Sequence, residues 1–122
     1  MECSIKIAAT AVCVNENVLL AVNMKPLVCL GSVTIGELRS IVRQQTLPDV
    51  PDDVLAMHKL WMGTRTEVHP LTDGCQRDYD GNCPLNENDT VNDVIAAHLC
   101  GLSPDSAYYN CTYNFLDVWL CQ

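Results

Sequence analysis

Histidines and cysteines are the side chains of this 122-residue chain best equipped to attack a substrate or hold a metal, and their spacing limits what they could do. Cys3, Cys13, Cys29, Cys75, Cys83, Cys100, Cys111 and Cys121 contain no CxxC pair and no Cys/His block at zinc-ligand spacing, so no metal site is expected. The histidines are scattered. His58 alternates with core positions, His69 precedes Pro70 in a turn-rich stretch, and His98 falls near the end of a helical pattern, where the helix dipole favours a cation. A nucleophile such as Cys100 would need a base such as His69 within hydrogen-bond reach, and no local signature supports the pair. The expectation is a non-enzyme with no cofactor and no small-molecule substrate.

Two further motifs read as structure rather than chemistry. "DYDGN" has its glycine misplaced for a calcium loop, which needs Gly after the third ligand and a Glu several residues later, so a turn is expected. Cys75 and Cys83 flank that turn, and a disulfide between them would contribute about 2.5 kcal/mol by restricting the unfolded chain. The alternative for all the cysteines is a set of reduced, half-buried thiols behaving as small hydrophobes. The sequons Asn88-Asp89-Thr90 and Asn110-Cys111-Thr112 would accept glycans only in a secretory lumen.

A net charge of −8 with only seven Lys and Arg opposes phosphate recognition, which needs clustered cations, so no nucleic-acid role is expected of this domain. Apolar stretches are short and broken by Lys6 and by Asn15-Glu16-Asn17, which predicts neither a membrane span nor a signal peptide. The length fits a single domain over residues 1–122.

The elements that position these residues follow from periodicity. "CSIKIAAT" alternates as a half-buried strand, and "VLLAVNMKPLVCL" supplies a second, with Val18, Leu20, Val22 and Met24 on one face until Pro26 interrupts the ladder. In "SVTIGELRSIVRQQT", Thr34 and Glu37 form a capping box, Val33 can staple against Leu38, and Ile35, Leu38, Ile41 and Val42 make one apolar stripe with Arg39, Ser40, Arg43 and Gln44 on the opposite, polar side. "LPDVPDDV" cannot continue a helix and leads into a strand "AMHKLWMG", with Ala56, His58, Leu60 and Met62 on one face. A long loop from Thr64 to Asn88 follows, then a second helix in "DTVNDVIAAHLCG", capped by Thr90 and Asp93. "YNFLDVWL" closes the chain as a strand in which Leu116, Val118 and Leu120 alternate with Phe115, Asp117 and Trp119.

Strand, strand, helix, strand, loop, short helix, strand is the order of an α+β β-grasp domain: a mixed four- to five-stranded sheet crossed by one helix, with a second short helix and an open outer face. It resembles ubiquitin, in "TIGELRSIVRQQ", in the Pro-rich descent "PDVPDDVLAMHKLWMG" and in "FLDVWL". A closer resemblance is to the N-terminal ubiquitin-like header domain of the Crinkler family of fungal and oomycete effectors. The matching pieces are Thr34 to Arg39, Leu60-Trp61, the acidic loop from Asp73 to Asp80, Pro84-Leu85, Thr90 to Ile95 and Leu116 to Leu120. The family's L-x-L-F-L-A-K stretch is replaced here by "LAMHKLWMG", and the cysteines and "GLSPDSAYYNCTYN" are extra. The resemblance implies a secreted protein delivered to the host-cell cytoplasm or nucleus, its N-terminal domain serving trafficking or interaction. Because the sequence ends "WLCQ" rather than Gly-Gly, a conjugated modifier is not expected.

Alignment of the strands on ubiquitin turns Trp61 and Trp119 outward, where with Phe115, Tyr113 and Lys59 they would form an apolar contact surface for a protein partner or a second copy. The competing expectation is that loop residues fold over this face and bury both Trp side chains. Two other functional readings stand beside this one. One is a Phox-and-Bem-like scaffold joining its acidic loop to Lys6 of another molecule; the other is a small cysteine-rich secreted structural protein.

Overall fold

A computed structural model of the chain describes residues 4–15, 18–63, 84–100 and 115–121, without the side chains of 14–15, 18–22 and 98–100. Four strands and two helices follow in the order β1 (Ser4–Asn15), β2 (Val18–Leu30), α1 (Ile35–Thr46), β3 (Lys59–Met62), α2 (Val91–Cys100) and β4 (Phe115–Cys121). The architecture is α+β, built on a mixed sheet of strand order β2-β1-β4-β3. β1 pairs antiparallel with β2 and parallel with β4, and β4 pairs antiparallel with β3.

β1 runs five residues beyond the expected alternation, and β2 continues through Pro26 to Leu30, with Ala8 opposite Pro26. Proline is tolerated because β2 is the outermost strand. Every second N–H of an edge strand points away from the sheet, so a proline at such a position costs no ladder bond. The third strand is shorter than "AMHKLWMG" predicts. Val54 and Leu55 donate N–H bonds to the Pro51 carbonyl, and His58 donates to Leu55, which draws the residues before Lys59 into turns.

Helix α1 contacts all four strands and buries Ile35, Leu38, Val42 and Thr46. Ile41 was expected in that stripe but is 38% exposed. Thr46 is buried in the last turn, its hydroxyl bonded to the Val42 carbonyl at 2.6 Å so that no polar group is left unmet. The helix lies on a core of Ile5, Ile7, Ala9, Ala11 and Cys13 from β1, Leu60 from β3, and Leu116, Val118 and Leu120 from β4. Val91, Val94 and Ile95 of α2 close one end, and Val33 packs partly buried against the same cluster.

The two helix starts hold each other. Thr34 caps α1 by accepting from Glu37 N at 3.2 Å, while Ile35 N and Gly36 N donate to the carbonyls of Asp89 and Glu87. Val91 N and Asn92 N of α2 donate to the carbonyls of Val33 and Gly31. Thr90 and Asp93 complete α2 with reciprocal bonds of 3.0 and 3.1 Å, a full capping box, whereas at Thr34 and Glu37, where the box was expected, the bond from Glu37 N is the one formed. Thr34 and Thr90 face each other as an antiparallel bridge. Three first-turn donors of each helix, which a helix cannot meet internally, are thereby satisfied.

Candidate interaction site

β4 departs furthest from its simple alternation: all seven residues are buried. Being flanked by β1 and β3, it has no solvent edge, and both of its faces are covered. Away from the helices, Phe115, Asp117 and Trp119 lie buried beside Ala8 and Thr10 of β1. The outer face is therefore closed at its centre rather than open. Gly63 donates its N–H to the Asp117 carbonyl at 2.7 Å, and a Cβ at Gly63 would collide with the Asp117 carboxylate. Glycine is needed there for that close approach.

Of the five residues expected to form a contact surface, Trp61 and Trp119 do meet, as direct cross-strand partners. Trp119 is only 1% exposed and Phe115 only 5%, so neither presents a surface. Trp61 is half-buried, its Nε1 donating to the Cys121 carbonyl at 3.1 Å, and Lys59 is exposed. Tyr113, and the Cys75 and Cys83 pair, lie outside the described residues. Cys13 and Cys29 are free thiols, and burial raises the pKa of both.

On the opposite side, the polar face of α1 is used to tether the turns that follow it. Arg39 donates from Nε to the His58 carbonyl at 2.8 Å and from Nη2 to the Leu55 carbonyl at 2.9 Å. Arg43 donates from Nη2 to the Val50 carbonyl at 2.7 Å and pairs with the exposed Asp52 carboxylate. These side chains, with Ser40, Gln44, Leu55 and Ala56, line a hollow of about 460 Å³. Its two guanidinium groups already hold main-chain carbonyls, so the arrangement is a clamp on residues 50–58. The sequence marked both arginines only as the helix's polar side.

His58 is fully buried, and neither ring nitrogen has a hydrogen-bond partner among the described residues. Desolvation lowers its pKa, and the Arg39 charge adds to the effect; the nearby backbone of Val12 and Val54 opposes it. A ring so enclosed is a core side chain, out of reach of any substrate. His69 lies outside the described residues, as does the side chain of Cys100.

Exposed apolar side chains include several that local sequence patterns did not single out, Met57 in the turns before β3 being 70% exposed. Val28 is 69% and Leu30 47% exposed on β2, and Pro26 is exposed beside them. Carrying the period of two past Pro26 would have placed all three on one face.

Comparison with protein-family models, with curated proteins and with solved structures finds no match to this chain. Among the described residues no helix is long and apolar enough to cross a membrane.

Proposed function

We propose that this chain is a ubiquitin-like β-grasp domain acting as a non-catalytic protein-interaction or dimerisation header, of the kind borne by Crinkler-type secreted effectors. The observation that carries the reading is the sheet: strand order β2-β1-β4-β3 with a central parallel pair, and one helix joining β2 to β3 while packing on every strand. The side chains point the same way. The two arginines of the helix are spent on main-chain carbonyls and the described histidine is sealed in the core, whereas apolar side chains stand in solvent on β2. Isolated surface hydrophobes are ordinary, but three in register on one edge suit a protein contact.

The test is solution mass by light scattering across a concentration series, for the wild type, Trp61→Ala and Lys59→Glu, with circular dichroism to establish folding. A dimer that dissociates in either folded variant supports self-association through the β3 side. A monomer in all three removes that mode and leaves an external partner. If the wild type neither self-associates nor binds a polypeptide, the interaction-module reading fails. Lys6 is exposed on β1, as the Phox-and-Bem-like alternative requires, and loss of self-association in Lys6→Glu alone would favour it.

A further inference from the structure

The β1–β2 hairpin differs in character from the rest of the molecule. From residue 17 to residue 36 there is no Asp or Glu, in a chain of net charge −8, and this stretch contains Lys25 while the neighbouring strand contains Lys6. Both lysines are exposed. Lys25 Nζ rests on Gln45 Oε1 at 2.9 Å, a neutral acceptor, and no carboxylate among the described residues pairs with it. The outer side of β2 has no strand partner among the described residues, whereas the other sheet edge is partly used, Leu60 of β3 accepting from Leu85 N.

Register defines the two faces of this edge. Lys25, Leu27 and Cys29 lie opposite Ala9, Ile7 and Ile5, which belong to the core under the helices. Pro26, Val28 and Leu30 therefore lie on the far face, opposite Ala8, Lys6 and Ser4. Because β2 stays paired at Pro26, which has no N–H, that position is one whose main chain points outward, and ladder alternation turns Val28 and Leu30 outward with it. The Leu30 carbonyl is already taken by Val33 N. What remains among the described residues is a short row: the Pro26 carbonyl, both Val28 groups and the Leu30 N–H. Such a row can recruit a strand, and the missing donor at Pro26 works against indefinite stacking of sheets.

We propose that the free edge of β2 between Lys25 and Leu30 accepts an extended segment of another protein as an added strand. That segment alternates apolar side chains, laid against Val28 and Leu30, with carboxylates directed to Lys25. The inference rests on the reading of the domain as an interaction module and names a surface and a partner chemistry for it. A strand of period two offers its two faces to two different environments, and here one presents Val28 and Leu30 with Lys6 beside them, the other Lys25 at the end of Leu27 and Cys29. The local positive charge in an acidic protein also selects among extended peptides, since a basic segment would meet like charge.

The experiment is a fluorescence-anisotropy titration of the whole chain with a labelled peptide in which Val and Glu alternate over about six residues, capped by Gly-Ser for solubility. A control peptide carries Lys in place of Glu. Saturable binding of the Val/Glu peptide is expected, about tenfold weaker in Lys25→Glu and in Val28→Asp, with little binding of the control. Both substitutions fall on exposed side chains, so circular dichroism should be unchanged. No binding up to about 1 mM, or equal affinity for both peptides and all variants, overturns the proposal. So does a wild-type dimer that Val28→Asp dissociates, which would assign the edge to a second copy. A chain that ignores the peptide refutes the docking edge alone, whether or not it self-associates through Trp61; the interaction-module reading falls only if the chain neither self-associates nor binds any polypeptide.

Discussion

Replacing Arg39 by Met should destabilise the protein by about 3 kcal/mol, because the guanidinium makes two charge-assisted bonds, one to the His58 carbonyl and one to a Leu55 carbonyl that also accepts from His58 N–H, and such bonds contribute about 1.5 kcal/mol each at the low end of their range. The low end applies because the side chain is 26% exposed, so water can reach part of the vacated site. Its 4.0 Å approach to Glu87, whose side chain is 59% exposed, adds little. Methionine preserves the packing of the aliphatic stem, which isolates the polar loss. Lysine keeps the charge but not the fork, and one ammonium cannot replace two divergent donors to Leu55 and His58, so Arg39→Lys should lose about half as much. The assay is urea unfolding followed by far-ultraviolet circular dichroism at pH 8, where His58 is neutral in both folded and unfolded chains. There is a second signature. The Arg39 charge helps to hold the His58 pKa down, so in Arg39→Met the folded-state value moves back toward the ordinary one, and the loss of stability on acidification becomes smaller. An Arg39→Met protein within about 0.5 kcal/mol of the wild type, or a fully stable Arg39→Lys, would refute the clamp.

His58 makes the fold sensitive to mild acid. Its folded-state pKa lies below the ordinary 6.5, so the unfolded chain takes up the proton more readily; this contribution is fully present above that pH and is lost as pH falls toward the folded-state value. The loss is limited to about 1.4 kcal/mol per pH unit, and the stability difference between wild type and His58→Leu, measured from pH 7.5 to 5.5, should fall accordingly; a flat difference refutes it. Trp119→Ala should cost about 3 to 5 kcal/mol as a core truncation, against a much smaller loss for the half-exposed Trp61→Ala, and equal effects in thermal melts would contradict the closed outer face. Gly63→Ala should cost about 1 to 3 kcal/mol, because its methyl displaces the buried Asp117 carboxylate, and an unchanged denaturation midpoint would show that the carboxylate moves freely.

What could be read from the sequence is what neighbouring residues settle among themselves. Thr34 with Glu37 and Thr90 with Asp93 mark both helix starts because a side-chain cap acts within one turn, and the strands of the first hairpin follow from local alternation. Tertiary structure alone decides the rest. Pro26 remains in a strand because β2 is at the edge. Phe115, Asp117 and Trp119 alternate like an outward face, but β4 is central, and burial on its far side depends on chain distant in sequence. Arg39 and Arg43 looked like a solvated helix face until the turns at 50–58 brought their carbonyls underneath. The exposed pair Val28 and Leu30 reads locally as more strand; only the sheet order leaves the outer side of β2 without a strand partner among the described residues. Sequence periodicity reports which residues share a face, whereas the environment of that face is set by contacts that close loops of tens of residues.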